Sequence, residues 1–193
     1  MSRLLGEPIH QCYVYPDFDA ALKRFAAAGI GPFFVLGEGS SGMSLYRGEE
    51  HEVSIKAAFV FTGNSCFEII SPVGEQQSTY AEFLRKNPTG GLHHIAYYSD
   101  DFAATLASLA EAGTPFTVVQ DFRRPGTDQS MEIYCEPDGI DNPIHYQFMP
   151  TGLFDTWFDA MREAAANWDG TEPYRDARPL LAAAFAQAAS KAA

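Results

Sequence analysis

The feature that most constrains this chain is an internal duplication at an offset of 84 residues. Residues 10–30 and 94–114 align without a gap and are identical at nine of 21 positions. In each copy a short strand precedes an aspartate at a helix N-cap position, Asp17 or Asp101, and apolar residues then follow at helical spacing. A repeat of two copies excludes a solenoid, which needs three or more units, and predicts a fold built from two similar halves.

Strand-like apolar runs follow each repeated helix. The runs of the first half are Phe33–Leu36, Met43–Tyr46, Val53–Phe61 and Ser65–Ser71, and those of the second half are Phe116–Val119, Met131–Cys135 and Ile144–Met149. A helix from Ser78 to about Lys86, with capping-box spacing between Thr79 and Glu82, joins the halves. The sequence therefore predicts a first module at 1–75, a linker helix at 76–90, a second module at 91–150 and a C-terminal helical extension at 151–193.

The C-terminal extension begins with a strongly amphipathic segment. Its large apolar residues follow helical spacing: Phe154, Trp157, Phe158, Met161, Ala165 and Trp168. After a break at Gly170–Pro173, an alanine-rich segment predicts a second helix over Arg178–Ala193. We expect the first helix to cover an apolar surface, either in the core of this chain or at an interface between subunits.

Charge and composition exclude several classes of partner. The 193 residues contain 13 Lys and Arg against 25 Asp and Glu, so the net charge is −12. This excess argues against binding to nucleic acid or to an anionic membrane surface. The sequence has neither a membrane-spanning apolar run nor an N-terminal secretion signal, which predicts a cytoplasmic protein. The three widely spaced cysteines predict buried thiols rather than a disulfide framework or a zinc–thiolate site.

Four polar residues lie inside otherwise apolar strands. His10 and His94 are equivalent positions of the duplication, and Glu68 and Gln147 lie in the last strand of each half. A carboxylate in an apolar strand is costly to bury unless it is paired or bound to a metal. Two imidazoles and two oxygen donors related by a pseudo-twofold axis therefore predict a site for one divalent metal ion, of the kind that suits Co, Ni, Zn, Mn or Fe.

The other histidines are interpreted from strand alternation. His145 shares a strand face with Gln147, which makes it a candidate acid or base or a partner of a ligand. His93 falls on the opposite strand face from His94, which favours core or helix packing over ligation.

Three motifs resemble the vicinal oxygen chelate superfamily, which includes glyoxalase, bleomycin-resistance and dioxygenase proteins. They are Ile9–Gln11 followed by Pro16–Phe18, then Phe67–Pro72, then Gly91–Tyr97. The resemblance covers about residues 8–150 and is greatest to members similar to methylmalonyl-CoA epimerase and lactoylglutathione lyase. It implies an α+β fold of two βαβββ modules whose curved mixed sheets surround a metal pocket. It also implies a homodimer and a small-molecule substrate such as an acyl-CoA or a thiol conjugate.

The resemblance implies that His10, Glu68, His94 and Gln147 are the metal ligands. The last of these positions is most often Glu in active isomerases and lyases of the family. Gln147 can bind a metal through its carbonyl oxygen but cannot accept a proton. The candidate proton acceptors are therefore Glu68, Glu50, Glu52 and His145, and the candidate aromatic wall of the substrate site consists of Tyr13, Tyr97, Phe33, Phe34 and Tyr46.

Three functions are compatible with these residues. The first is a metal-dependent isomerase, epimerase or lyase that acts on a carbonyl compound with an acidic α-proton, through a metal-stabilised enolate. The second is a non-haem iron dioxygenase, because two histidines and one carboxylate match the ligands of such enzymes. The third is a small-molecule binding protein of the same fold without catalytic activity. Analysis of the bound metal would separate the three.

Overall fold

The computed structural model describes residues 3–141 and 143–191 and contains two copies of a strand–helix–three-strand unit. The first copy consists of β1 (His10–Val14), α1 (Phe18–Ala27), β2 (Phe33–Tyr46), β3 (Glu49–Thr62) and β4 (Ser65–Pro72). Helix α2 (Thr79–Lys86) leads to the second copy, which consists of β5 (Gly91–Tyr98), α3 (Phe102–Glu111), β6 (Phe116–Arg123), β7 (Ser130–Pro137) and β8 (His145–Met149). Three elements follow: α4 (Leu153–Ala165), β9 (Tyr174–Asp176) and α5 (Arg178–Lys191). The predicted α+β fold of two βαβββ modules with a C-terminal helical extension is confirmed.

The eight strands of the two modules form one closed, curved sheet. Their order is β3-β4-β1-β5-β8-β7-β6-β2, and β2 pairs again with β3. The modules meet twice, through antiparallel pairing of β1 with β5 and of β2 with β6. The equivalent strands of the two modules thus pair with each other, which gives the barrel a pseudo-twofold axis and an enclosed interior. Strand β9 adds to the outer edge, where it pairs in parallel with the first residues of β2.

The structure revises three local predictions. The predicted strands Phe33–Leu36 and Met43–Tyr46 are one long strand, β2, because pairing with β3 continues through two register shifts. Helix α2 is capped by Ser78 rather than Thr79, since the Ser78 side chain accepts a hydrogen bond from the Ala81 backbone N–H. Helix α4 ends at Ala165, before Trp168. The predicted last helix is present to Lys191, and residues 192–193 lie outside the described residues.

Helices α1 and α3 cover the outer face of the barrel. Each begins at the predicted aspartate, because Asp17 and Asp101 accept hydrogen bonds of 2.9 Å from the backbone N–H groups of Ala20 and Ala104. Helix α1 buries Phe18 and Leu22 against β2, β3 and β4, and α3 buries Leu109 against β7 and β8. Full burial of such a side chain stabilises the fold by roughly 1.5–3 kcal/mol.

Two other helices close the interior of the barrel at opposite ends. Helix α2 places Tyr80 against Val14 and Ile70, near the C-terminal ends of β1 and β4. Helix α4 places Trp157, Phe158 and Met161 at the other end, against Cys66 at the start of β4 and against Phe59 and Phe61 of β3. The amphipathic face of α4 is therefore buried in the core of this chain, which is the first of the two locations expected for it.

The predictions about membrane-spanning segments and about the cysteines can be compared with the described part of the chain. No helix there combines the length and apolar character needed to cross a bilayer. The thiols of Cys12, Cys66 and Cys135 are free and buried, as predicted.

Candidate metal centre

Three of the four predicted ligands meet in the barrel interior. His10 of β1, Glu68 of β4 and His94 of β5 lie on neighbouring strands, because β1 pairs with both β4 and β5 and Cys12 is opposite both Glu68 and His94. The His10 Nε2 atom lies 3.3 Å from His94 Nε2 and 3.3 Å from Glu68 Oε2. The distance between His94 Nε2 and Glu68 Oε2 is 3.5 Å. We name these three residues the triad.

The triad has the dimensions of a metal site. Two ligand atoms that each lie about 2.1 Å from one ion, at a tetrahedral angle, are about 3.4 Å apart. The three distances agree with this value. Among the His, Cys, Asp and Glu side chains of residues 3–141 and 143–191, no other group of three places its ligand atoms close enough together to hold one ion. The triad residues are also only 2%, 7% and 0% exposed for His10, Glu68 and His94. A buried cation would satisfy all three side chains.

The protonation of the triad suits metal binding. Burial lowers the pKa of His94 to about 4, although Glu68 acts in the opposite direction, so the neutral imidazole that a metal requires is the favoured form at pH 7. Burial raises the pKa of Glu68, but hydrogen bonds and charge from His10 and His94 outweigh this and lower it to about 2. Within the described part of the chain, the ion pairs of Glu68 are with these two histidines rather than with Lys or Arg. The carboxylate is therefore negative and lacks a permanent counter-charge.

Gln147 of β8 presents an unpaired oxygen. Its Nε2 donates hydrogen bonds to Glu132 Oε2 at 2.7 Å and to the Tyr134 hydroxyl at 2.9 Å. When Glu132 is ionised, its carboxylate can only accept a hydrogen bond, so the amide nitrogen faces it. Gln147 Oε1 is then buried without a hydrogen-bond partner. A buried carbonyl oxygen without a partner is costly, and ligation of a cation would remove that cost.

Glu132 of β7 is an interior carboxylate that the sequence analysis missed. It faces inward with Tyr134, which is opposite Gln147 in the register of β7 and β8. Burial and the charge of Glu68 raise the pKa of Glu132 to about 7, although the hydrogen bond from Gln147 acts in the opposite direction. The signal was present in the sequence, because Glu132 and Tyr134 alternate along the predicted strand Met131–Cys135 and so share one face, and Glu136 continues the alternation one residue beyond it.

A second polar cluster leads from the triad towards α2. His93 Nδ1 lies 2.9 Å from His94 Nδ1, and the His93 ring stacks on His145 at 4.6 Å between ring centroids. His145 Nε2 lies 3.1 Å from Glu136 Oε1, and Glu136 also contacts Arg47. The imidazole of a metal ligand commonly uses its second nitrogen in such a contact, which orients the ring.

A β-bulge explains why the prediction for His93 was only half right. The ring does pack against Tyr80 and Phe83 of α2, as core packing requires. It does not, however, point away from His94, because the register of β1 and β5 shifts so that His93 has no opposite residue. The extra residue of a bulge breaks strict alternation and lets two consecutive side chains lie on one side.

The structure does not bring Glu50 and Glu52 to the triad. Both are exposed on β3, while Val53 of the same strand is fully buried. Neither belongs to the group of ligating atoms formed by the triad. Of the four candidate proton acceptors, Glu68 and His145 are in the interior and Glu50 and Glu52 are at the surface.

The candidate aromatic wall is divided between the two faces of the sheet. Tyr13 and Phe33 pack on the outer face near α1, and Tyr97 stacks on Tyr146 of the outer face near α3. Phe34 faces inward and packs against the residues of α4. Tyr46 donates its hydroxyl hydrogen to Glu82 of α2. Strand alternation is the reason, because Tyr13 and Tyr97 are each an odd number of residues from the inward-facing His10 and His94.

Aromatic residues cover the triad on the side of α4. The His10 ring lies 5.7 Å from the ring of Phe59 and 5.6 Å from that of Phe158, between ring centroids. Trp157 packs on Phe59 at 5.2 Å and on Phe158 at 5.6 Å. The triad is thus enclosed by the barrel and by the C-terminal extension.

Comparisons with known proteins agree with this architecture. A sequence model of the Glyoxalase/Bleomycin resistance protein/Dioxygenase superfamily matches residues 9–134. The ethylmalonyl-CoA/methylmalonyl-CoA epimerase of Cereibacter sphaeroides is 40% identical over 110 residues, which cover 57% of this chain and 73% of that protein. The mitochondrial methylmalonyl-CoA epimerase of Bos taurus is 39% identical over 110 residues, which cover 55% of this chain and 54% of that protein.

A solved structure supports the fold independently. The crystal structure of methylmalonyl-CoA epimerase from Mycobacterium tuberculosis aligns with a TM-score of 0.52 at 18% sequence identity, over 78% of this chain and 91% of that one. The match to the family spans well over half of the chain and includes all three triad residues. The chain belongs to the Glyoxalase/Bleomycin resistance protein/Dioxygenase superfamily.

Proposed function

We propose that this protein is a metal-dependent epimerase that acts on the carbon next to the thioester carbonyl of an acyl-CoA. The observation that carries the proposal is the triad, whose three donor atoms lie 3.3–3.5 Å apart in the interior of the barrel. The 40% identity to a bacterial ethylmalonyl-CoA/methylmalonyl-CoA epimerase supports the reaction class and the substrate class. None of the relatives named above is a lyase or a dioxygenase, so the proposal does not extend to those reactions.

The residues present fit one divalent ion. His10, Glu68 and His94 would hold it, and the unpaired Oε1 of Gln147 would supply a further donor. Nitrogen and oxygen donors of this kind suit Co, Ni, Zn, Mn or Fe. A bound divalent ion would polarise the substrate carbonyl and so make the neighbouring proton more acidic. The chain supplies no Lys or Arg to the Glu68 carboxylate in its described part, so a cation is the partner that this carboxylate lacks.

Glu132 is the group that we propose as the proton acceptor. It is an inward-facing carboxylate that Gln147 holds at 2.7 Å, and it is not one of the predicted ligands. In the reaction, the C–H bond at the α-carbon breaks, the proton passes to a Glu132 oxygen, and the electron pair moves towards the carbonyl oxygen. Return of a proton to the opposite face inverts the centre. Among the predicted candidates for that second transfer, Glu68 and His145 lie in the interior and Glu50 and Glu52 do not.

The direct test is exchange of the α-proton with solvent. Purified protein is stripped with a chelator, reloaded with Co²⁺, Zn²⁺ or Mn²⁺, and incubated with methylmalonyl-CoA in D₂O, and loss of the α-proton signal is followed by NMR. We expect exchange in the reloaded protein and little in the stripped protein. Absence of exchange above the uncatalysed rate with every metal would reject the proposed function.

Two variants then separate metal binding from proton transfer. In His94→Ala both the bound metal and the exchange should be lost. In Glu132→Gln the metal should be retained while the exchange rate falls by roughly 10²–10⁴-fold, the usual range for removal of a general base. Glu50→Gln, a change at an exposed residue of β3, is the matched control and should leave both quantities unchanged. If Glu132→Gln exchanges at the wild-type rate, Glu132 is not the proton acceptor.

A further inference from the structure

The C-terminal extension supplies the last layer of side chains over the triad. Trp157 and Phe158 of α4 are 3% and 2% exposed, although α4 lies outside residues 9–134 that match the family. Both rings pack on Phe59, each at 5.2 Å between centroids, and Phe158 also reaches the ring of His10 at 5.6 Å. These residues are therefore a part of the interior that this chain adds to the two modules.

The positions of Phe59 and Phe158 limit which groups of a ligand can lie beside the triad. His10 packs against Phe59 and Phe158, so apolar rings bound its imidazole on the α4 side. On the opposite side, His94 contacts Tyr134 and His93, which belong to the polar part of the interior. An apolar substituent on a ligand bound at the triad would pack against Phe59 and Phe158, and the oxygens that bind the metal would lie towards the polar side.

Trp157 carries an independent signal of an absent ligand. Its Nε1 is buried and has no hydrogen-bond partner. An unpaired buried N–H is costly, and buried tryptophans usually pair this group. The donor lies on a ring that contacts Phe59, which in turn contacts the triad residue His10. An oxygen of a small ligand held beside the triad would satisfy it.

We propose that Trp157 and Phe158 are specificity-determining residues that close over the acyl group of the substrate. Phe158, together with Phe59, limits the size of the substituent on the α-carbon, and the Trp157 N–H donates to an oxygen of the acyl group. Because the triad is almost fully buried, α4 moves away to admit the acyl group and packs back over it. This inference rests on the proposed function, since it names which thioesters that site accepts.

The experiment compares two thioesters that differ by one methylene. The metal-loaded wild type and the variants Phe158→Leu and Phe158→Ala are assayed for α-proton exchange with methylmalonyl-CoA and with a malonyl-CoA that carries an ethyl substituent. A methylene in an apolar site changes discrimination by roughly 10–200-fold. We expect the ratio of kcat/KM values to shift towards the larger substrate by at least about tenfold in Phe158→Ala and by less in Phe158→Leu. A ratio that stays at the wild-type value in both variants overturns the role of Phe158.

Trp157→Phe tests the hydrogen bond alone. It keeps an aromatic ring against Phe59 and removes the donor, so exchange of both thioesters should fall to a similar extent, by roughly 3–10-fold, as expected for one neutral hydrogen bond. An unchanged kcat/KM for both substrates overturns the role of the Trp157 N–H.

Matched controls distinguish specificity from damage to the fold. Phe154→Leu and Phe154→Ala make the same chemical changes one turn earlier in α4, at a residue that packs on the same core but has no ring contact with His10 or Phe59 among the described residues. They should leave the substrate ratio unchanged. A second readout needs no turnover, because Phe158→Ala should release bound Co²⁺ to a chelator faster than Phe154→Ala does. Equal release rates would show that Phe158 does not cover the triad.

The outcomes also separate this inference from the proposed function. If the wild type exchanges neither thioester with any metal, the proposed function fails, and the chelator comparison alone still decides whether α4 covers the triad. If the wild type is active and the variants keep its selectivity, the proposed function stands and the inference fails.

Discussion

The two modules have the same order of strands and helix but opposite interiors. In the first module Glu68 is opposite Phe59, and the neighbouring inward positions of β3 are Ala57 and Phe61. In the second module Gln147 is opposite Tyr134, and the corresponding positions of β7 are Glu132 and Glu136. One half therefore places a carboxylate in an apolar wall, and the other places an amide in a polar wall.

This difference shows how a duplicated fold acquires one asymmetric site. The backbone symmetry brings the two histidines together, because β1 and β5 pair across the axis. The side chains that surround them are free to diverge, since strand pairing depends on main-chain hydrogen bonds. The apolar half, which α4 covers, is suited to hold an alkyl group, and the polar half is suited to transfer protons.

The largest expected effect comes from removing one symmetric ligand. His94→Ala should weaken binding of Co²⁺ or Zn²⁺ by at least about 100-fold, because the remaining two donors of the triad cannot enclose an ion. His10→Ala, the same change in the other module, should have a similar effect. Isothermal titration of the stripped protein measures both. Full retention of metal by either variant would contradict the triad as the binding site.

The second prediction uses the opposite pKa shifts of the two interior carboxyl groups in the metal-free protein. The pKa of Glu132 rises from 4.5 to about 7, chiefly through burial, so the folded state binds this proton more tightly than the unfolded chain does. Its contribution to stability is therefore complete below pH 4.5 and is lost as the pH rises to 7, by a few kcal/mol. The pKa of Glu68 falls to about 2, so its contribution is present above pH 4.5 and is lost below it.

Urea unfolding of the metal-free protein between pH 4.5 and 8 measures this dependence. The lowered pKa of His94, about 4 against 6.5, makes stability rise with pH below 6.5, so the quantity to follow is the difference between the wild type and Glu132→Gln. The wild type should lose stability relative to Glu132→Gln as the pH rises from 4.5 to 7, because only the wild type has the group whose proton is lost. Glu50→Gln, at an exposed position, should follow the wild type. A difference between the wild type and Glu132→Gln that stays constant across this range would contradict the burial of Glu132 as the cause.

The third prediction exchanges the two kinds of interior oxygen donor. Gln147→Glu should tighten metal binding by about tenfold, because it adds a negative charge to the donor set. Part of the gain is lost, since the new carboxylate no longer donates to Glu132, which now lies 2.7 Å from Gln147 Nε2. The double variant Gln147→Glu/Glu132→Gln restores a donor to this contact and should bind metal more tightly than the single variant. Equal or weaker affinity in both would mean that residue 147 does not face the ion.

The smallest expected effect concerns the part of the two modules that has not diverged. Asp17 and Asp101 cap α1 and α3 with hydrogen bonds of the same length, 2.9 Å. Asp17→Ala and Asp101→Ala should each lower the free energy of unfolding by about 1 kcal/mol, with metal affinity unchanged. Chemical denaturation measures both values. A difference of several kcal/mol between the two variants would show that the modules do not use their caps equivalently.

Local patterns predicted most of the secondary structure and the three triad residues. Helix caps, apolar periodicity and the offset of 84 residues are readable because each depends on neighbours in the sequence. Alternation failed at His93, because a bulge depends on the pairing of two strands and leaves no local pattern. Strand alternation would have found the polar face of β7, since the spacing of Glu132, Tyr134 and Glu136 places these three residues on one face.

The sequence by itself determined that this chain has two βαβββ halves, and it predicted that each half contributes one histidine and one oxygen donor to a common site, of which the structure gathers His10, Glu68 and His94. Only the tertiary structure decided which faces of the strands meet inside the barrel, and so excluded Tyr13, Tyr97 and Phe33 from the interior and admitted Glu132. It also decided that Phe158 packs on the triad residue His10 and that Trp157 packs on Phe59. The physical reason is that periodicity specifies which residues share a face, whereas closure of the barrel specifies what that face encloses.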